Sequence, residues 1–236
     1  MPPRFEELDF QKTALGELSL RRRLSPSLDD AEVFEVKLDG AMLMSSAVNS
    51  AEIALADIGL AGLDGPLDVV VGGLGLGYTA KAALDHVEAM RVEVIECLAA
   101  VIDWHSRGLV PLGAELIADP RCHLIHGDFF ELMTADESPH QSKPKYHAML
   151  IDIDHSPACL LTHRHEPYYE IERLRRMAAR LHAGGSFALW SADPPEDGFM
   201  KSLAAVFASV ETRDIHFDNP MVGETDSNTI YVARKP

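Results

Sequence analysis

The run Leu67-Asp68-Val69-Val70-Val71, emptying into Gly72-Gly73-Leu74-Gly75-Leu76-Gly77, constrains the fold more than any other stretch of this chain. A short valine-rich run bounded by glycines reads as a strand buried on both faces. Beyond it, Ala80, Ala83, Leu84, Val87 and Met90 share one face of a helix expected over Tyr78 to Met90. Strand, glycine turn and helix, in that order, seat a nucleotide-like ligand over bare backbone at a helix N-terminus. Glycine suits the turn because it has no Cβ to block the ligand and reaches positive φ without strain.

The rest of the chain repeats the alternation. Strands are expected at Arg91 to Glu96, Cys122 to His126, Ala148 to Asp152 and Ser186 to Trp190. Helices are expected at Leu98 to Ser106, Glu166 to His182 (ending at Gly184-Gly185) and Phe199 to Ser209. Two closing strands, Val210 to Phe217 and Thr229 to Ala233, have no helix between them and predict an antiparallel edge. Such alternation implies a parallel sheet covered by helices on both faces. The fold class is therefore α/β, a Rossmann-like, seven-stranded, methyltransferase-type sheet over residues 49–236.

Residues 1–48 read differently. Gly16 to Leu24 and Val33 to Leu38 alternate apolar with polar, and Asp39-Gly40 supplies a hairpin turn before Ala41 to Met44. A small β-hairpin domain is expected there, followed by a helix near Asn49 to Leu60. Arg21-Arg22-Arg23 reads as a solvated strand edge that discourages pairing. The polar stretch Thr134 to Lys145 reads as an exposed loop.

Composition excludes several classes of function. A net charge of −16 argues against nucleic acid as a partner, because phosphate binding needs a basic surface. No apolar run has the length of a membrane span, and the N-terminus lacks the apolar stretch of a signal peptide. The three cysteines, Cys97, Cys122 and Cys159, are widely spaced and fit a reducing compartment, so a cytoplasmic protein is expected.

Two ligands fit the glycine turn. Gly75-Leu76-Gly77-Tyr78-Thr79-Ala80 matches the dinucleotide fingerprint, with Glu96 near the distance of a ribose-binding acid. Gly73-x-Gly75-x-Gly77 also fits S-adenosylmethionine enzymes. Downstream features favour the second. Asp128 closes the third strand where an acid meets the adenine amino group. Asp152 closes the fourth strand beside the ligand crevice, and the terminal strand pair completes a seven-stranded sheet.

At these residues the chain resembles the spermidine synthase family of aminopropyltransferases, a branch of the class I methyltransferase fold. The likeness rests on Leu38-Asp39-Gly40, Val94-Ile95-Glu96 with Val101-Ile102 following, Asp119-Pro120-Arg121 and Gly127-Asp128. It implies that Asp152 is the catalytic aspartate, which accepts a proton from the acceptor or orients it for attack. It further implies that Gly73, Gly75, Gly77, Glu96, Cys97, Asp128 and Phe129 hold the donor, and that Asp154, His155 and Tyr169 meet the acceptor. Homodimers or higher homo-oligomers are implied through the N-terminal hairpins.

The chain also departs from the family. Gly75 stands where the family has an aspartate that holds the donor amine. Asp152-Ile153-Asp154-His155-Ser156-Pro157 replaces Asp-Ser-Ser-Asp-Pro, and no counterpart of the family's Tyr-His-Glu segment is legible in Ala47 to Ala56. Loss of a carboxylate at Gly75 relieves repulsion against a donor that keeps its own carboxylate. The expected function is therefore methyl transfer from S-adenosylmethionine to a small-molecule acceptor. Aminopropyl transfer from decarboxylated S-adenosylmethionine and non-catalytic binding of an adenosyl ligand are the alternatives.

His155, His163 and His165 lack a second ligand pair at zinc spacing, so no metal is expected. They read as a loop over the acceptor pocket. Trp104 and Trp190 read as core.

Overall fold

The computed structural model describes residues 4–136, 144–220 and 223–236. Residues 137–143, most of the loop expected at Thr134 to Lys145, lie outside the described residues.

Four strands open the chain: β1 (Phe5–Thr13), β2 (Gly16–Ser25), β3 (Ala31–Leu38) and β4 (Ala41–Ser45), paired in order as an antiparallel sheet. Asp39 and Gly40 both take positive φ (49° and 80°), as a two-residue hairpin turn requires. The run Arg21 to Arg23 lies on β2, an interior strand, and this corrects its reading as an edge. The three guanidinium groups pair with Glu7 (3.3 Å), Glu6 (2.6 Å) and Glu35 (2.6 Å) on the flanking strands. Charges that look like an edge device in one strand are here matched across two.

The helix α1 (Ser50–Leu60) leads into β5 (Leu67–Gly72) and α2 (Tyr78–Asp85), and then β6 (Ala89–Glu96), α3 (Ala99–Ser106) and α4 (Gly113–Ala118). Next come β7 (Cys122–His126), α5 (Phe129–Thr134), β8 (Tyr146–Ile151), α6 (Ile171–Ala179), β9 (Leu181–Ser191), α7 (Asp197–Ala204), β10 (Ser209–Asn219) and β11 (Glu224–Arg234). The second sheet runs β10-β11-β9-β8-β5-β6-β7. Strands β5 to β9 are mutually parallel, and β11 is antiparallel to both neighbours, wedged between β9 and β10. Val69, Val70 and Val71 are buried because β5 is central and covered on both faces.

Two helices are shorter than their periodicity suggests. The helix expected to Met90 stops at Asp85, Ala89 pairs with Leu67 on β5, and Val87 and Met90 are exposed. The long helix expected from Glu166 is a 3-10 turn over His163–Tyr169 followed by the separate α6. The two are separated at Glu170, whose backbone is extended (φ −85°, ψ 155°). Gly184 and Gly185 then fall within β9.

Strand order reverses between β5 and β8, which opens a crevice at their carboxyl ends. The N-terminal sheet packs beside that crevice, with Leu18, Leu20 and Val36 in the same apolar core as β5 and α2. Trp104 Nε1, on α3, donates to Asp9 on β1 at 2.6 Å and ties the N-terminal sheet to that helix. Trp104 is fully buried, as expected. No described helix is long and apolar enough to cross a membrane.

Candidate active site

The ends of four adjacent strands, β8, β5, β6 and β7, form one rim. Gly73 N–H donates to Ile95 O (2.9 Å), Asp152 N–H to Gly72 O (2.8 Å) and Gly127 N–H to Glu96 O (3.0 Å). This continued pairing holds the glycine turn, Glu96, Asp128 and Asp152 around a single cavity of about 430 Å³. Gly73, Gly75 and Gly77 all take positive φ (89°, 49° and 94°). At Gly73 an added Cβ would stand 2.1 Å from the Asp152 carbonyl oxygen, so two strand ends meet there with no room for a side chain.

That crowding gives a first prediction. Gly73→Ala is expected to lower stability by roughly 3 kcal/mol or more, combining backbone strain with the clash. Gly65→Ala, also at positive φ (84°) but in open space, should lose only about 1 kcal/mol. Thermal melts of the two variants check this, and equal losses would refute the close packing of the turn on β8.

On the donor side, both Glu96 carboxylate oxygens accept backbone N–H groups, from Leu74 (3.0 Å) and Leu98 (2.7 Å). The acid anchors the glycine turn to the end of β6, and its remaining lone pairs face the cavity it lines. Asp128 caps α5 by accepting from Glu131 N–H (3.0 Å) and lines the same cavity. Phe129 closes the wall beneath Gly72. Cys97 lines it too, with its thiol pushed up to about 12 by burial and the nearby Glu96 and Asp128 charges, so it stays protonated.

On the other side, Asp152 faces the cavity and accepts from Thr79 Oγ1 at 2.8 Å. Protein surrounds the carboxylate on all sides but the cavity, and this burial raises it to about 6. Glu52, on α1, lines the same space and is raised to about 8, first by burial and then by the Asp152 charge. Sequence reading missed Glu52. It falls in Ala47 to Ala56, where no counterpart of the family's motif was legible, and on a mostly apolar helix nothing sets it apart from the other acid, Asp57. Thr79 and the wall residues Met44 and Phe217 were likewise not singled out. Trp190, expected in the core, is half-buried and lines the cavity.

Asp154, His155 and Tyr169 separate. His155 lines the cavity. The Asp154 side chain is only 1% exposed and accepts from Leu161 N–H (2.8 Å) and Tyr169 OH (2.7 Å), with His165 Nδ1 2.8 Å away. Tyr169 lies behind Asp154, its ring packed between Phe130 and Phe199, where burial and the Asp154 charge push its hydroxyl well above the usual range. Tyr169 is thus placed behind Asp154, whose own side chain is almost fully enclosed at the cavity wall. Among the described residues no cluster of histidine, cysteine and acid side chains could hold a metal.

Glu52, Glu96, Asp128, Asp152 and Asp154 line the cavity, and among the described residues no lysine or arginine does.

No protein-family model matches the chain. Polyamine aminopropyltransferase 2 of Pseudomonas aeruginosa is 26% identical over 199 residues, 74% of this chain and 51% of that protein. The chain thus spans about half the length of the curated relative it matches. A spermidine synthase from Thermotoga maritima superposes with a TM-score of 0.75 at 18% identity, covering 98% of this chain and 73% of that one. A spermidine synthase in complex with the transition-state analogue AdoDATO superposes with a TM-score of 0.73 at 17% identity, covering 98% and 72%.

These likenesses overturn the expectation of methyl transfer, because the similar proteins are aminopropyltransferases. The physical reason is in the cavity. Gly75 removes one carboxyl group, but Glu52 and Asp152 still present two acids to the same space, which suits a cationic ligand better than one with its own carboxylate. With its mostly parallel seven-stranded sheet and separate four-stranded N-terminal sheet, the chain has the spermidine synthase fold.

Proposed function

We propose that the chain is an aminopropyltransferase that uses decarboxylated S-adenosylmethionine and a small amine acceptor. The observation that carries this reading is the cavity lined by five acidic side chains, Glu52, Glu96, Asp128, Asp152 and Asp154, with no lysine or arginine among the described residues. The decarboxylated donor carries an ammonium and a sulfonium and no carboxylate, and an amine acceptor is also a cation at neutral pH. Ordinary S-adenosylmethionine would bring its carboxylate against like charge, which in a closed site is unfavourable by several kcal/mol.

The adenosine lies over Gly73, Gly75 and Gly77, with Glu96 on the ribose hydroxyls and Cys97, Asp128 and Phe129 around the base. Glu52 supplies the carboxylate for the donor ammonium that Gly75 lacks. Its charge also reaches Tyr78 at the start of α2, beside the glycine turn. Asp152 holds the attacking amine. The amine nitrogen forms a bond to the carbon beside the sulfonium, and the carbon–sulfur bond breaks with its electron pair going to sulfur. Methylthioadenosine leaves and one proton is released. Positioning does most of the work, since the sulfonium is already an activated leaving group.

Calorimetry with the two donors, and mass spectrometry of reactions with a panel of diamines and polyamines, test this. Binding of the decarboxylated donor and formation of methylthioadenosine are expected. Binding of S-adenosylmethionine alone would overturn the reading. Glu96→Ala should weaken donor binding by roughly tenfold to a hundredfold, because it removes a charged acceptor and frees Leu74 and Leu98. An unchanged Kd would remove Glu96 from the donor site.

A further inference from the structure

We infer that His165 is the base that takes the proton from the acceptor ammonium, with Asp154 as its positioning residue. The inference rests on the aminopropyl-transfer reading and deepens it.

An alkyl ammonium has no lone pair with which to attack, so one proton must leave before or during bond formation. A carboxylate that took it would lose the charge that holds two cationic substrates in place. A neutral imidazole backed by a buried carboxylate has no such conflict, because the imidazolium it becomes is stabilised by the partner behind it. Asp152 and Glu52 can then stay anionic toward the substrates while the proton goes elsewhere.

The geometry matches that division. His165 Nδ1 lies 2.8 Å and 2.9 Å from the two Asp154 oxygens. A carboxylate only accepts, so Nδ1 carries the hydrogen and the Nε2 lone pair is left for a substrate. Nε2 has no hydrogen-bond partner among the described residues, and the ring lines the cavity that holds Asp152. Asp154 cannot turn away, because Leu161 N–H and Tyr169 OH also hold it. The His165 ring is fixed against Phe130, with centroids 4.9 Å apart. The 3-10 turn that replaces the expected helix start is what brings His165 inward, while His163, Arg164 and Glu166 remain exposed.

The titratable groups around the ring are Asp154 and Tyr169 behind it, and Tyr168 across Phe130. Asp128 and Glu131 lie at the start of α5, and Asp152, Glu52 and His155 are on the cavity wall. The step balances simply. The proton on the acceptor nitrogen passes to Nε2, the freed lone pair forms the nitrogen–carbon bond, and the carbon–sulfur electrons leave with methylthioadenosine. Solvent then takes the proton from the imidazolium.

The test is a pH–rate profile of the full chain as wild type, His165→Gln and Asp154→Asn, with donor Kd measured in parallel. His165→Gln is expected to lose roughly 10²–10⁴-fold in kcat at neutral pH, with donor Kd within about twofold. Its rate should recover by about tenfold per pH unit as solvent deprotonates the amine, and added imidazole should partly rescue His165→Ala. Asp154→Asn should show the same profile, since an amide can donate to Nδ1 and turn the ring to the wrong tautomer. An active wild type whose His165→Gln counterpart keeps its rate and profile overturns the assignment of the base alone. A pH-independent loss accompanied by weaker donor binding overturns it too, as a packing role. A wild type that forms no methylthioadenosine with any amine overturns the transfer reading, and this inference with it.

Discussion

Asp152→Asn is expected to lower aminopropyl transfer by roughly a hundredfold or more, while thermal stability holds or rises. Asparagine fits the same volume, and its amide oxygen can accept the Thr79 hydroxyl that now donates to Asp152 at 2.8 Å. Only the charge is lost. That charge lies at the carboxyl end of β8, over the crevice where strand order reverses, and it is the group best placed to hold an amine against the donor carbon. Its raised value of about 6, caused by burial, marks an ion held where solvation is poor, and functional sites concentrate such groups. Donor affinity should fall by less than turnover does, which kcat and calorimetric Kd would separate. Full turnover in the variant would make Asp152 a structural partner of Thr79 and move the amine site elsewhere.

Glu52→Gln is expected to stabilise the ligand-free protein at alkaline pH and to weaken binding of the donor through its ammonium. The sign follows from linkage. Glu52 is raised from an ordinary carboxylate to about 8 in the folded protein, so between about 4.5 and 8 the folded state binds more protons than the unfolded one. Stability therefore falls as pH rises through that window. Glutamine carries no charge and escapes the penalty. The melting temperatures should coincide near the acid end of the window and diverge by roughly 5–10 °C above pH 8, for a penalty of about 2–3 kcal/mol. Donor affinity should fall by roughly tenfold or more, because a charge-assisted hydrogen bond to its ammonium is lost. A gain in stability paired with a loss of binding identifies a residue kept for function. Melts that stay parallel across pH would show that Glu52 is not strained in the folded state.

The two acids also predict how wild-type binding depends on pH. A cationic ligand favours the deprotonated carboxylates, so affinity should rise as pH rises through the region from about 6 to about 8 set by Asp152 and Glu52. Calorimetry in buffers of different ionisation enthalpy would detect the protons released on binding.

The sequence by itself determined the elements whose physics is local. The valine run and its glycines required a buried strand and a turn at positive φ, and both stand at β5 and Gly73 to Gly77. Asp39-Gly40 specified a two-residue hairpin, and alternation of strand and helix specified the α/β sheet. Strand-end spacing brought Glu96, Asp128 and Asp152 to one rim, because parallel strands deliver their carboxyl ends to the same side. Only the tertiary structure decided what those ends do. Glu52 is one of two acids on a mostly apolar helix until α1 packs beside the glycine turn and desolvates it. Asp154 and Asp152 look alike in sequence, yet Leu161, His165 and Tyr169 turn one inward while Thr79 leaves the other at the cavity. His165 was read only as part of a loop over the acceptor pocket, and Arg21 to Arg23 as a solvated edge, because the partners that fix them lie on other segments of the chain. Periodicity encodes which face is buried. Charge state and ligand preference depend on which remote groups are packed against that face, and one segment read alone does not contain them.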